Sequence, residues 1–262
     1  MLQRAITRGA LAAVLLTATL IAVPIADADT ALARSGTTSS ATSITRMPVG
    51  NVGKFRQRFA EDFRTTAAAN GRFARTYAKS WQPYPDGMSK MYYSGSQISA
   101  HGGVMDVTLG GKKGAAGTFG TPRDAWTHVG GKFTVRARAT GGNGNGAAFM
   151  LWPTSDVWSD GEIDYPEGNF EAEPMLFQHS MRPGNEWNAT YGGTRASWRD
   201  WHVYSVEWIP GKSVTYLLDG RVIKRITWDV PKTAHRYMFQ VGNWGASGHL
   251  YVDWVTTYDY VR

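Results

Sequence analysis

Short segments of alternating apolar and polar residues, each closed by a turn signal, follow one another along most of this 262-residue chain. Alternation with a period of two is typical of half-buried β-strands. Beyond the N-terminal segment, no helical periodicity of useful length interrupts it. Asp219-Gly220, between two such segments, is a strong hairpin signal. The alternation predicts strands near residues 58–63, 91–99, 104–109, 132–139, 147–152, 162–167, 175–181, 202–209, 213–218, 221–228, 236–241 and 249–260.

Many strands without helices in a chain of this length predict one all-β domain with two antiparallel sheets packed face to face. The 30 glycines suit the many turns of such a sandwich, and the 11 tryptophans suit strands. Aromatic rings also stack on the C–H faces of sugars, although core packing is the commoner role of any single tryptophan.

Residues 160–168 concentrate four acids between two apolar, aromatic segments. Successive strand side chains point to opposite faces, so Glu162 and Asp164 share one face. Glu167 lies an odd number of positions from Glu162 and would point away unless one extra residue, a β-bulge, restores the alternation. Pro166 favours a bulge because it has no N–H for the ladder. The sequence therefore predicts a row of three carboxyl side chains on one face of a sheet.

This row suits cleavage of glycosidic bonds, which uses one carboxylate as nucleophile and a second carboxyl as proton donor. Four regular strand steps span about 13 Å, whereas the carboxyl groups of a retaining pair lie about 5–5.5 Å apart. Only a curved strand, with Glu162 and Glu167 leaning together over Asp164, closes that gap. We therefore expect the acids to lie on a concave sheet that forms a substrate cleft.

Two other interpretations of this stretch are weaker. A calcium-binding loop would find acids or glycine at five of its positions, namely Asp156, Asp160, Gly161, Asp164 and Glu167. Its third position is Trp158, which offers no oxygen, and the strand-like, proline-containing flanks are not the helices of an EF-hand. A purely structural acidic strand is also disfavoured, because like charges on one face repel each other.

The segment Glu162-Ile163-Asp164-x-x-Glu167 resembles the bulged active-site motif of glycoside hydrolase family 16, in its laminarinase-like β-glucanase branch. Other segments resemble further strands of that family and together span about residues 55–262; they are 59–63, 131–138, 201–208, 216–220 and 252–255. The resemblance implies a β-jelly-roll fold. It also implies that Glu162 is the nucleophile, that Asp164 assists, and that Glu167 is the acid/base.

Two tryptophans beside the acid row are candidates for stacking on sugar rings. Trp152 shares a strand face with Met150, a position where the family often carries tryptophan. Trp158 lies in the loop just before the row. For both, core packing is the alternative interpretation.

Polar residues on later strands are further candidates for substrate binding. His179 lies on the next strand, either as a satisfied core histidine or as a hydrogen-bond partner of Glu167. Gln240 and Asn243 belong to a late aromatic strand and are predicted to contact substrate in the cleft.

This chemistry requires no cofactor, and we expect no metal ion among the site residues. The resemblance implies that a structural calcium ion can bind on the convex side of the fold, where Asp253 matches one ligand. The chain has no G-x-S-x-G and no HExxH motif, so nothing supports a serine hydrolase or a zinc protease. The glycine-rich segment 141–146 lacks the Lys-Ser/Thr of a phosphate loop and is interpreted as a mobile loop on the rim of the cleft.

The N-terminus has the pattern of a secretory signal. Arg4 and Arg8 form a basic region, and residues 10–23 form an uncharged, mainly apolar region too short for a membrane span. Small-residue cleavage patterns end at Ala28 and at Ala33. We favour Ala28, because it lies closer to the apolar region.

The chain therefore divides into a signal peptide at residues 1–28, a flexible Ser/Thr/Ala-rich spacer at 29–48, and a catalytic domain at 49–262. It contains no cysteine, so an exported chain would depend on its core rather than on disulfides. We predict an extracellular protein with a bacterial-type signal peptide.

The formal charge is +7, and the basic residues are scattered, with no run longer than Lys112-Lys113. Nucleic-acid binding uses clustered basic residues, whereas scattered ones keep a protein soluble. We therefore expect no nucleic-acid partner and no membrane contact of the mature chain. We further expect a monomer that acts on a polysaccharide.

Together these features predict a secreted retaining endo-glycoside hydrolase that cleaves a β-linked polysaccharide by double displacement. The resemblance favours a β-1,3- or mixed-linkage β-glucan as substrate. A transglycosylase or a galactan hydrolase on the same scaffold is the alternative within enzymes. A lectin-like binding protein is the alternative outside them, but such a protein needs aromatics and amides rather than two glutamates around an aspartate.

Overall fold

The computed structural model describes residues 45–83, 95–111, 114–142, 144–243 and 246–262. Within these residues it contains fifteen strands and one five-residue α-helix, α1 (Arg72–Thr76). The strands are β1 (Phe55–Glu61), β2 (Trp81–Pro83), β3 (Ile98–His101), β4 (Val104–Leu109), β5 (Ala115–Phe119), β6 (Gly131–Thr140), β7 (Asn145–Pro153), β8 (Ile163–Asn169), β9 (Met175–His179), β10 (Ala189–Gly193), β11 (His202–Ile209), β12 (Ser213–Leu218), β13 (Arg221–Ile226), β14 (His235–Asn243) and β15 (Gly248–Tyr260).

The strands form two antiparallel sheets, which confirms the all-β sandwich predicted from the alternation. One sheet has seven strands in the order β10-β9-β8-β7-β14-β5-β2. The other has eight, in the order β13-β12-β11-β6-β15-β4-β3, with β1 paired to the second half of β15. No helix within the described residues is long and apolar enough to cross a bilayer.

Aromatic side chains fill the space between the sheets. Phe119, Phe149 and Phe239 lie on adjacent strands of the seven-stranded sheet, with ring centroids 5.4 to 6.4 Å apart. Phe133 and Val135 of β6 face them from the other sheet and are fully buried. Burial of this apolar surface is the main force that holds the two sheets together.

Tyr165 fixes the orientation of β8. Its ring lies edge-on against Tyr204 and Tyr216 of the other sheet, with centroids 5.4 and 5.6 Å away. Ile163, two positions earlier, is also buried in the core. Because strand side chains alternate, Asp164 between them points to the opposite face of the sheet. The apolar residues of β8 thus direct its acids away from the core.

The connection between β12 and β13 is the hairpin predicted from Asp219-Gly220. The two residues have φ values of 49° and 78°, and a type I′ turn requires positive φ at both positions. The carboxylate of Asp219 accepts a hydrogen bond from the Val203 N–H at 2.8 Å and lies 2.7 Å from His202 Nδ1. The turn is therefore tied to the start of β11.

The His202–Asp219 pair makes stability depend on pH in a defined direction. The hydrogen bond to Asp219 raises the pKa of His202, so this contribution is complete below the ordinary histidine pKa and is lost as pH rises through the raised value. Burial alone would raise the Asp219 pKa, but the hydrogen bonds from His202 and Val203 outweigh it and lower that pKa. The contribution of Asp219 is therefore lost only as pH falls through its lowered pKa.

We expect Asp219→Asn to flatten the fall in melting temperature between pH 6 and 8 relative to the unaltered protein. The pair is partly exposed, so the difference should be no more than about 1 kcal/mol, or about 2–4 °C. Thermal melts at matched ionic strength measure it. Parallel pH profiles for the two proteins would contradict the assignment.

Some elements differ from the sequence prediction. Strands β2, β5 and β10 were not predicted: β5 is buried on both faces and so does not alternate, and β10 is a glycine-containing edge strand. The strand predicted at 91–99 begins only at Ile98, residues 95–97 form a 3₁₀ turn, and 91–94 lie outside the described residues. The predicted signal peptide and most of the predicted spacer lie outside them as well.

Candidate active site

A bulge in β8 brings the acids onto one face. Asp164 pairs with Met150 of β7, but Glu167 pairs with Ala148, so the two residues between the acids oppose the single residue Phe149. The same shift occurs against β9. Directly paired residues of antiparallel strands point to the same face. The bulge predicted from the spacing is therefore confirmed, and we call this side of the seven-stranded sheet the acid face.

Glu162, immediately before β8, is held by two local features. The indole N–H of Trp158 donates a hydrogen bond to Glu162 Oε2 at 2.5 Å. The intervening Gly161 has a φ of 110°, and a Cβ there would lie 2.4 Å from Pro231 Cγ. Only glycine fits this close approach. The backbone before Glu162 is thereby fixed, and one carboxylate oxygen has a defined partner.

His179 of β9 is anchored at one nitrogen and faces the acids with the other. Its Nδ1 lies 2.8 Å from the carbonyl oxygen of Glu186, which only accepts, so Nδ1 carries a proton. Its Nε2 lies 3.2 Å from Asp164 Oδ2 and 3.8 Å from Glu162 Oε2. The ring also packs 5.4 Å from that of Trp158. The sequence suggested either a satisfied core histidine or a hydrogen-bond partner of Glu167. The structure shows neither, because the nearest acid to His179 is Asp164.

Burial raises the pKa of all three carboxyl groups, and the negative charge of a neighbouring acid raises each one further. The neighbour is Asp164 for Glu162, Glu167 for Asp164, and Glu162 for Glu167. His179 and the Trp158 hydrogen bond oppose this effect at Glu162. The pKa of Glu167 rises to about 7. A carboxyl group with that pKa can both give and take a proton near neutral pH.

Trp152 lies on the acid face rather than in the main core. It is two positions beyond Met150 on β7 and packs in a small cluster with it. Its indole N–H donates to Asp156 Oδ1 at 3.0 Å, and Arg236 Nη2 donates to the same oxygen at 3.0 Å. Arg236 is only 3% exposed, and its guanidinium lies 4.2 Å from the ring centre of Trp126. The Arg236–Asp156 pair thus contacts the indole rings of both Trp126 and Trp152.

Arg236 and Trp126 were not among the site residues predicted from the sequence. Arg236 could have been noticed because it is a charged residue in an apolar strand. It lies at an alternate position and so shares a strand face with Met238 and Gln240. Gln240 does lie on the acid face, opposite Ala148, which is itself opposite Glu167. Asn243 ends β14, and its side chain lies outside the described residues.

Exposed aromatic residues beside the acids were also missed. Phe177 pairs with Asp164 across β8 and β9, and Tyr191 pairs with Phe177 across β9 and β10, with ring centroids 6.2 Å apart. Tyr191 is 62% exposed, and Trp187, in the loop before it, is 71% exposed. Large exposed aromatics mark binding surfaces more often than scattered apolar residues do.

Three of the carboxylates considered for calcium already have partners within the chain. The Asp253 carboxylate lies 2.5 Å from Arg136 Nη1, so its negative charge is already paired with a guanidinium. In the alternative calcium loop, Asp156 is paired with Arg236, and Asp160 accepts from Ser155 Oγ at 2.5 Å. Residues 163–167 of that loop belong to strand β8, and the element before the loop is strand β7 rather than a helix. The calcium-loop interpretation therefore finds no support.

Solved structures with a similar fold include several glucanases. The endo-β-1,3-glucanase from Pyrococcus furiosus is similar with a TM-score of 0.63 at 15% identity, over 81% of this chain and 98% of that one. A laminarinase from Flavobacterium sp. UMI-01 gives 0.58 at 16%, over 78% and 100%. Bacillus licheniformis β-glucanase gives 0.58 at 17%, over 80% and 99%. These likenesses support the β-jelly-roll sandwich.

Sequence comparison identifies the family. A search of curated proteins found no match. The family model described as "Glycosyl hydrolases family 16" matches residues 86–261, which is more than half of the chain and includes the whole acid row. The predicted resemblance is thereby confirmed, and the chain belongs to glycoside hydrolase family 16.

Proposed function

We propose that this glycoside hydrolase is a retaining endo-enzyme that cleaves β-1,3- or mixed-linkage β-glucan. The observation that carries the proposal is the bulged row, in which Glu162, Asp164 and Glu167 share one face beside His179. The substrate class is supported by the family and by the glucanases with the same fold. Exposed aromatics next to the row suit the C–H faces of glucose rings.

In the first step, Glu162 attacks the anomeric carbon while Glu167 protonates the departing oxygen. The Trp158 hydrogen bond fixes one oxygen of Glu162 and favours its charged form. In the second step, Glu167 acts as base and brings in water to cleave the glycosyl ester. Asp164 lies between the two glutamates, so its own protonation is coupled to theirs as the proton moves, and His179 Nε2 lies 3.2 Å from its Oδ2.

The proposal is tested by a reducing-end assay on purified polysaccharides. Laminarin and barley β-glucan should be cleaved internally, with a rapid fall in viscosity, whereas agarose and carrageenan should not. Proton NMR of the first product should show the β-anomer before mutarotation. Cleavage of a galactan alone would show that the substrate is a galactan rather than a β-glucan. Saturable binding without cleavage would favour the lectin-like alternative.

The pH dependence should reflect Glu167. Because Glu167 must be protonated to assist departure and its pKa is about 7, kcat/KM should fall about tenfold per pH unit above that value. An aryl glucoside with a strongly acidic leaving group needs no proton and provides the control. Its kcat/KM should remain flat through the same range. An equal fall in kcat/KM for both substrates would mean that a group other than Glu167 causes the loss of activity at high pH.

We also propose that residues 1–28 direct export and are removed, leaving a monomeric extracellular enzyme. The basic and apolar regions followed by a small-residue pattern support this. N-terminal sequencing of protein from the culture medium should begin at Asp29, or at Arg34 if cleavage follows Ala33. Secreted protein that still begins at Met1 would refute the proposal.

A further inference from the structure

The acid face holds a group of atoms with the spacing of metal ligands. One oxygen each from Glu162 and Asp164 and one ring nitrogen of His179 all lie within 4.8 Å of one another. All three side chains are largely buried, so their positions are fixed by packing rather than by solvent. A small movement of each would bring the three atoms to the distances of about 2.0–2.2 Å that Zn²⁺ takes from oxygen and nitrogen.

His179 has the arrangement that metal-binding histidines use. In such histidines the nitrogen away from the metal donates its proton to a carbonyl or carboxylate, which fixes the ring and leaves the other nitrogen free to bind. Here the Nδ1–H donates to the Glu186 carbonyl at 2.8 Å. The Nε2 faces Asp164 and Glu162.

Asp164 provides a second, independent indication. The residue is 1% exposed, and its Oδ1 has no hydrogen-bond partner. Buried carboxylate oxygens normally have a partner, and an unpaired one calls for an explanation. An ion bound through Oδ1 would give this oxygen the partner that it lacks.

We propose that Glu162, Asp164 and His179 bind a divalent transition-metal ion such as Zn²⁺ or Cu²⁺, and that this ion inhibits the enzyme by competing with the sugar. Two carboxylates and one imidazole suit these ions, whereas Mg²⁺ and Ca²⁺ prefer all-oxygen sites. Any proton on the three ligand atoms is released to solvent when the ion binds. The bound ion removes Glu162 from catalysis.

The inhibition rests on the proposed function, but the binding does not, so the two are measured separately. Calorimetric titration with zinc chloride should give one site per chain. His179→Ala should weaken zinc binding at least as much as loss of a metal-ligand partner does, about 10–100-fold. Glu167→Gln, which leaves all three ligands in place, should bind zinc within about tenfold of the unaltered protein although it has lost turnover.

A matched surface variant tests binding at another group of histidines. His249 lies 2.8 Å and His101 lies 2.9 Å from the oxygens of Asp106 on the other sheet, so this carboxylate has two histidines beside it. His249→Ala should leave zinc binding unchanged. Zinc should also inhibit glucan cleavage competitively and reversibly with EDTA, and Mg²⁺ at the same concentration should not.

Several results would overturn the proposal. They are unchanged zinc affinity in a folded His179→Ala, loss of binding in His249→Ala, and no saturable binding up to about 1 mM zinc. If His179→Ala does not fold, Glu162→Gln removes a different ligand and must show the same weakening. A chain that binds zinc as expected but cleaves no polysaccharide would refute the proposed function and leave this site standing.

Discussion

Glu162→Gln should abolish turnover on every polysaccharide that the unaltered enzyme cleaves, by about 10⁴-fold or more in kcat. The amide has nearly the same shape as the carboxyl group but cannot form the glycosyl ester, so no substrate escapes the loss. Turnover of aryl glucosides with acidic leaving groups should be lost to the same extent. Reducing-end release and nitrophenol release measure the two cases.

The loss should not come from unfolding. Burial and the charge of Asp164 raise the pKa of Glu162, so a neutral amide at this position relieves an electrostatic cost. We therefore expect a melting temperature equal to or above that of the unaltered protein. Glu207→Gln is the matched control, because Glu207 pairs with Lys132 at 2.9 Å on the other sheet and should keep full activity. Turnover that survives in Glu162→Gln would remove Glu162 as the nucleophile.

Glu167→Ala should separate the two catalytic steps. Polysaccharide cleavage should fall by about 10²–10⁴-fold, the range that general acid–base catalysis contributes. Aryl glucosides with acidic leaving groups should still form the glycosyl ester, since their departure needs no proton. The ester should then accumulate, because no base remains to activate water.

Azide identifies which carboxyl group is missing. As an anionic nucleophile it needs no general base and should speed breakdown of the ester in Glu167→Ala. Two inversions return the starting configuration, so the product should be the β-glycosyl azide. Proton NMR distinguishes it from the α-azide. An α-azide from Glu167→Ala, or azide rescue of Glu162 variants instead, would reverse the two roles.

The sequence by itself determined the two sheets, through many alternating segments without helices, and the acid row, through the period of one strand. Ile163 and Tyr165 alternate with Asp164, and this local pattern decides which face of β8 is buried. The five-residue spacing from Glu162 to Glu167 required an extra residue, and the pairing with β7 contains it. Strand β5 escaped prediction because burial on both faces removes the alternation.

Only the tertiary structure decided how these acids are held and charged. His179 reaches Asp164 from the neighbouring strand, and Arg236 meets Asp156 from 80 positions away. Such contacts depend on strand order and register, which no local period encodes. The pKa of Glu167 rises to about 7 because the packed sheets bury it beside another acid. The three acids thus lie close together in the sequence of one strand. Their protonation depends on burial, which exists only when both sheets have assembled.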